Sequence, residues 1–365
     1  MADCAYRPCD DAGPSAWHIR RSALPDALPI TVCVPARNEE QALPALLDAL
    51  SDLVADPADM TICVYLDGCE DDSEAVLRRA SPTLPFPLVV EAGRRHDGAN
   101  AGAARRSAMA IGLRVLCDRP GLLFTTDADS RPRADWIQAG IAALDKADVA
   151  AGRIVRRHAA GDPTQSRIEH YYDRLHALRR LVDPVPWEAR DTHHFTGGAN
   201  LAVRAAAYRA LGGFRPLPSG EDAALVDDAA RAGFRVRKDG AMLVETSSRR
   251  VGRAVHGLAS ALLALDMGTA PLVSHPHAVA WQWRAQAAAR QAFSTIHDPD
   301  VRIRLGDRLG LTADHVLGVA RDCPNDEAFA MRIVPASPDH CGSVTLVVAE
   351  DALAMLEADL CEVAA

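Results

Sequence analysis

From Ile30 onward the chain alternates between two hydrophobic periods. Ile30-Thr-Val-Cys-Val34 is a short, β-branched apolar run suited to a buried strand. Beyond Pro35-Ala-Arg-Asn38, the residues Leu43, Leu46, Leu47, Leu50 and Leu53 recur at the 3.6-residue spacing of an amphipathic helix. Pro44 is tolerated only in a helix's first turn, which places the start near Gln41. Residues 61–66, 88–91 and 122–126 read as further strands, residues 99–115 and 134–144 as helices, and an apolar segment follows over 148–155. Such alternation predicts an α/β fold, a mostly parallel sheet flanked by helices on both faces. In sheets of this kind ligands sit beyond the carboxyl ends of the strands. The polar residues just after each strand are therefore the first candidates for a site.

The two ends of the chain read differently. Residues 1–28 contain Pro14 and Pro25, show no sustained period, and are expected to form an irregular leader. Past about residue 265 the pattern changes. Residues 278–293 are helical and rich in Ala, Arg and Gln, with Trp281 and Trp283 on different faces, and one strand is expected over 343–348. The predicted organisation is a leader (1–28), one α/β domain (29–265) and a mainly helical C-terminal addition (266–365).

Composition removes several classes of function. The chain has 365 residues, 48% hydrophobic and 24% charged, the balance of a folded protein rather than a disordered one. A net charge of −9 argues against a nucleic-acid binder, which needs a basic field. No run of about 20 apolar residues is available to span a bilayer, and the stretch around 258–273 is broken by Asp266 and Gly268. Asp3, Asp10 and Asp11 stand where a secretory signal needs a basic start and an apolar run. The nine cysteines are scattered and contain no C-x-x-C pair, so reduced thiols and a cytoplasmic location are expected. Cys33 and Cys63 fall inside apolar runs and should pack as small hydrophobes.

Four polar stretches carry candidate chemistry. Asp127 and Asp129 follow the strand over 122–126; two carboxylates at i and i+2 on an extended backbone point to one side and can share a hard divalent cation with a diphosphate. A solvated turn is the alternative, and Asp298-Pro-Asp300 repeats the spacing with no strand before it. Gly220-Glu-Asp222 opens a helical stretch, where acids serve either as caps or as a base that removes a hydroxyl proton. Phe195-Thr-Gly-Gly-Ala-Asn200 suits a tight turn into a strand or a close backbone approach. Asp67-Gly-Cys-Glu-Asp-Asp-Ser73 can cap a helix, or Asp67 can accept hydrogen bonds from a nucleobase.

Taken together and in this order, Val34-Pro-Ala-Arg-Asn-Glu-Glu40, Asp67-Gly-Cys69, Thr126-Asp-Ala-Asp-Ser130, Phe195-Thr-Gly-Gly-Ala-Asn200 and Gly220-Glu-Asp222 resemble the family 2 glycosyltransferases of the GT-A fold. The linking segments Tyr208-Arg-Ala-Leu-Gly-Gly-Phe214 and Ser247-Ser-Arg-Arg-Val-Gly-Arg253 do so too, and the resemblance spans roughly residues 28–260. It implies a nucleotide-sugar donor, UDP-linked before GDP-linked, a hydroxyl acceptor it does not name, and inverting, non-processive transfer aided by Mg²⁺ or Mn²⁺. By position, Pro35, Arg37 and Glu39 match the loop around the nucleoside, Asp67 the contact to the base, and Arg105 a nucleotide-facing basic residue, unless it is an ordinary exposed helical arginine. Asp127 and Ala128 match the sugar-nucleotide contacts, with Asp127 nearest the ribose, and Asp129 matches the metal ligand. Asp222 matches the catalytic base, with Glu221 beside it. Many relatives add a histidine ligand downstream; His256 is the candidate, with His193 and His194 as rivals.

Departures shape the expectation. Processive relatives carry a Gln-x-x-Arg-Trp motif and membrane helices, whereas Gln282-Trp-Arg284 has another order. Trp187, just after Pro184 and Pro186, suits either core packing or stacking on an acceptor sugar. Two rival readings are a sugar nucleotidyltransferase, which would need a Gly-rich basic loop after the first strand, and a catalytically inactive scaffold of the same fold.

Overall fold

A computed structural model describes residues 28–56, 59–94, 100–157, 163–252, 257–338 and 342–364. The leader expected over 1–28 therefore lies, Leu28 apart, outside the described residues. In chain order the elements of the sheet region are β1 (Ile30–Ala36), α1 (Leu43–Ser51), β2 (Met60–Leu66), α2 (Ser73–Ala80), β3 (Leu88–Ala92), α3 (Ala101–Leu116), β4 (Leu122–Thr125), β5 (Arg131–Pro132), α4 (Trp136–Leu144) and β6 (Val149–Arg156). There follow α5 (Pro163–Val182), β7 (Leu201–Arg204), α6 (Ala205–Ala210), α7 (Glu221–Arg231) and β8 (Val236–Thr246). The remainder comprises α8 (Leu258–Asp266), β9 (Leu272–Ser274), α9 (Pro276–Phe293), α10 (Pro299–Leu309), α11 (Ala313–Arg321), α12 (Asp326–Ile333), β10 (Ser343–Thr345) and α13 (Leu346–Ala364).

Eight strands form one sheet in the order β3-β2-β1-β4-β7-β6-β8-β5. The β3-β2-β1-β4 half is parallel, and β6 pairs parallel with β8, while β7 runs antiparallel to both β4 and β6 and β5 antiparallel to β8. Alternate residues of each strand feed different cores. Val32, Val34, Ile62, Val64 and Phe124 pack with α1, α2 and α4, through Leu43, Leu46, Leu50, Leu77 and Trp136. Cys33, Cys63 and Leu123 face the other way, onto Met109 and Ile111 of α3, Tyr208 of α6 and Leu225 of α7. Both faces are covered, which is why β1, β2 and β4 read as unbroken apolar runs. Cys33 and Cys63 are fully buried, as packing thiols should be.

The C-terminal helices are not detached from this body. Tyr171, Leu175 and Leu178 of α5 share one core with Ala280 of α9 and with Leu346, Ala349 and Leu353 of α13. Trp283 packs against that core, whereas Trp281 packs against a separate one formed by α9 to α12 around Phe329. The strand expected over 343–348 is real only for Ser343–Thr345; Leu346-Val-Val348 opens α13 instead. Leu346 and Ala349 are buried at helical spacing, so tertiary burial overrides the β-branched local preference. Among the described residues no helix is long and apolar enough to cross a membrane.

Candidate active site

Topology brings distant segments to one edge of the sheet. β1, β2 and β4 all end there. β7 runs antiparallel to β4, with Leu201 opposite Thr125, so the segment that enters β7 arrives where β4 leaves. β8 has the same sense as β4, so Thr246 and the residues after it emerge beside them. A cleft of 480 Å³ lies at this edge. Pro35, Arg37, Glu39, Asp67, Arg105, Asp127, Ala128, Asp129, Glu221 and Asp222 all line it. His256 lies outside the described residues.

The nucleoside-side loops are tied to each other. Asn38 adopts a left-handed φ of 54°, and its Oδ1 accepts the Glu70 N–H at 2.7 Å. In return the Glu39 N–H donates to Ser73 Oγ at 2.9 Å and the Glu40 N–H to Asp71 Oδ2 at 2.9 Å. The loops after β1 and β2 thereby satisfy one another's backbone. They also hold Arg37 and Asp67 together, Nη1 to Oδ2 at 3.4 Å.

The acidic pair sits on a turn rather than an extended strand. β4 stops at Thr125, and Ser130 N–H donates to Asp127 O at 3.1 Å. The two carboxylates consequently part company. Asp127 turns to Arg105, which is buried and donates through Nη2 to Asp127 (2.8 Å), Nε to Glu221 (3.1 Å), and Nη1 to Thr125 Oγ1 (3.0 Å) and Gly198 O (2.9 Å). Burial opposes that charge, but Asp127 and Glu221 outweigh it and hold the proton on. Arg105 is thus not an exposed helical arginine; at the lining of the cleft it joins α3, the acidic turn, the glycine loop and α7. A Cβ on Gly198 would lie 2.5 Å from Arg105 Cζ, so the glycine is what lets the guanidinium in.

The glycine loop also positions Asp222. Gly198 N–H donates to Asp222 Oδ2 at 2.8 Å, and Ala223 N–H to Oδ1 at 2.7 Å. The N-cap of α7 is Gly220, at φ 75°, with no side-chain cap. Asp222 thus lines the cleft while tying the glycine loop to the first turn of its own helix. Glu221 turns inward and is buried, which pushes its carboxyl up in pKa against the pull of Arg105. Asn200, at the end of the loop, accepts from Trp136 Nε1 at 2.7 Å and donates to Arg153 O and Met242 O, pinning β7 to β6 and β8.

Asp129 faces the rim. Burial, then the Asp127 charge, raises it to about 6, while Arg249 pulls it down. Arg249, just beyond β8, places Nε 3.2 Å from Asp129 Oδ2 and makes two bonds to Glu39, at 2.7 and 2.6 Å. Sequence reasoning missed Arg249 as a site residue; its signal was the arginine-rich segment directly after a strand. Asp129 is the hard, underneutralised oxygen donor that a divalent cation takes, usually with substrate phosphates and water. Among the described residues no three His, Cys, Asp or Glu side chains form a complete metal site, so a cation here would complete its shell from the donor.

Other candidates fall elsewhere. His193 is buried, its Nδ1 accepting the Phe195 N–H, and His194 pairs with Asp173 at 2.9 Å; neither lines the cleft. Trp187 donates to Val236 O at 2.9 Å and lies under Arg235, a packing role. In Asp298-Pro-Asp300 the first carboxylate caps α10 through the Asp300 N–H.

A sheet whose parallel half opens its loops onto a cleft floored by an acidic turn, with flanking helices on both faces, is the architecture of the GT-A glycosyltransferases. The sequence narrows the class: residues 31–209 match the model of Glycosyl transferase family 2, and through this domain the chain belongs to that family. No curated protein matches the chain. Among solved structures, S. aureus TarS 1–349 in complex with UDP-GlcNAc is similar over 83% of this chain and 90% of its own, at 15% identity and a TM-score of 0.47. The mannosyltransferase PcManGT from Pyrobaculum calidifontis, in complex with GDP-Man and Mn2+, is similar over 84% and 74%, at 17% identity and a TM-score of 0.46. Identities this low do not transfer a substrate.

Proposed function

We propose that this enzyme moves one sugar from a nucleotide-diphosphate donor to an acceptor hydroxyl, with inversion and without processive elongation. One observation carries the reading: the Asp127–Asp129 turn shares a cleft with an Asp222 carboxylate held by two backbone N–H groups. Each carboxylate oxygen has a second lone pair, so Asp222 can still accept the hydroxyl proton. The acceptor oxygen then bonds to the anomeric carbon as the bond from that carbon to the diphosphate oxygen breaks. Asp67 and Arg37, with Pro35 and Glu39, receive the nucleoside, and Asp127 receives the ribose. Asp129 holds Mg²⁺ or Mn²⁺, which when bound with the donor supplies positive charge against the departing diphosphate. Glu221, ion-paired with Arg105, acts as a positioning group rather than as the base. The transferase domain is residues 29–265, with 266–365 as an addition that packs on α5.

A thermal-shift panel of UDP, GDP, CDP and dTDP, each with and without Mn²⁺, tests this reading. Ligand at a hundredfold excess over Kd stabilises the folded state by about 2.7 kcal/mol. The expected result is a rise with one nucleotide, UDP before GDP, that requires metal and disappears in Asp129→Ala. No rise with any nucleotide from folded protein would overturn the donor site and favour a scaffold.

A further inference from the structure

The positive charge at Asp129 is already supplied by the chain. Arg249 makes two hydrogen bonds to Glu39 and sets its Nε against Asp129, so one guanidinium is shared by two carboxylates and leaves the group net negative. Glu39 itself is fixed from behind, its backbone N–H on Ser73 Oγ, and is almost wholly buried. These groups also form a partition. A second cavity of 550 Å³ lies on the far side, and Glu39, Asp129, Ser247 and Arg249 line both it and the cleft. Arg249 is the mobile member of the three on chemical grounds: a long side chain on a loop, about a third exposed, against two buried acids.

We propose that Arg249 is the resident counter-charge of Asp129, anchored by Glu39, and that a divalent cation reaches Asp129 by displacing this guanidinium. The inference rests on the reading of Asp129 as the cation's carboxylate. Two cations a few ångströms apart repel at several kcal/mol in a partly buried setting, so the guanidinium and the metal exclude one another at this oxygen. Without nucleotide the exchange is unfavourable, because Arg249 leaves two carboxylates and gains only water. With a nucleoside diphosphate in the cleft the released guanidinium meets a new anion. Cation and nucleotide therefore bind cooperatively, and the coupling is reciprocal.

Mn²⁺ affinity of the whole chain, measured by electron paramagnetic resonance of the free ion at about pH 8, where carboxylates are ionised, tests this with and without UDP or GDP. Arg249→Ala is expected to bind Mn²⁺ about tenfold tighter than wild type in the absence of nucleotide, the scale of an ordinary coupling energy, and to keep only the part of the nucleotide-dependent gain that the diphosphate oxygens themselves supply. Glu39→Gln, which loosens the anchor, should shift affinity the same way by less. Asp129→Asn should abolish Mn²⁺ binding in every background. Unchanged or weaker Mn²⁺ binding by folded Arg249→Ala, with Asp129→Asn still null, overturns the exchange and leaves the site reading intact. Weaker binding by Glu39→Gln would make Glu39 a ligand rather than an anchor and also overturns it. Full Mn²⁺ binding by Asp129→Asn overturns the metal assignment itself.

Discussion

Two arginines serve the same cleft and are held in opposite ways. Arg105, on the floor, belongs to a helix packed in the core, and its guanidinium is fixed by two carboxylates, a hydroxyl and a carbonyl. Arg249, on the rim, belongs to a loop and bridges two carboxylates in partial contact with solvent. A buried ion with every partner in place stays there, because each partner would be left as an unpaired charge in low dielectric. A rim ion can trade one anion for another through water. The floor is thus preset and the rim is exchangeable, and substitution can test how deep that division runs.

The largest effect is expected from Arg105→Ala. It strands Asp127 and Glu221 without their cation, a change that costs about 3–5 kcal/mol when a buried pair is broken. Urea unfolding should show that loss, and transfer should vanish with it; Arg105→Lys should recover the charge but not the fork. Next comes Gly198→Ala, whose Cβ would meet Arg105 Cζ at 2.5 Å. Overpacking of this kind costs about 1–3 kcal/mol, and an unfolding midpoint equal to wild type would show that the floor is softer than described.

A third region sharpens the contrast, since burial and neighbouring cations outweigh what carboxylate support its buried histidines have, Glu188 at 3.9 Å from His176. Burial, then the Lys238 charge, drives His193 down to about 3 and His176 to about 2. Both stay neutral in the fold but ionise near their ordinary value of 6.5 when unfolded. Their contribution is therefore fully present above about pH 6.5 and is lost as pH falls toward 3, by up to about 1.4 kcal/mol per pH unit for each. His193→Gln should flatten the acid limb of stability against pH; an unaltered limb would contradict a neutral buried His193. A smaller effect than that of Arg105→Ala is expected from Arg249→Ala, about 1–3 kcal/mol, because its guanidinium is partly solvated although the Glu39 it bonds is buried.

How much of this was legible in the sequence divides along the sheet. β1, β2 and β4 announce themselves because strands covered on both faces must be largely apolar, and the half-buried edge strand β3 shows through its Leu88-Val-Val90 run. The loops after three of them carry the acids and arginines that line the cleft. β8 does not announce itself: Val236-Arg-Lys-Asp-Gly240 is half-buried and polar, and it pairs with β6 across an irregularity at Gly152/Arg153. The Asp127–Asp129 pair was legible as a site, but not the turn that sends one carboxylate to the floor and the other to the rim. Residue type and spacing do not reveal that Arg105 would find four acceptors from segments up to 116 positions away. For the same reason Arg249 could not be matched with Glu39, 210 positions upstream.

The central claim is that one cleft both holds the donor and carries the base. Asp222→Asn, assayed for two properties in one preparation, tests it most directly. Nucleotide-induced thermal stabilisation should persist at the wild-type level, because the role proposed for Asp222 is proton removal and not nucleotide or metal binding. Release of nucleoside diphosphate from the sugar donor should fall by about a hundredfold or more, the scale of a lost general base. Wild-type release with stabilisation intact would contradict the account, because the cleft would then be running the reaction through another base.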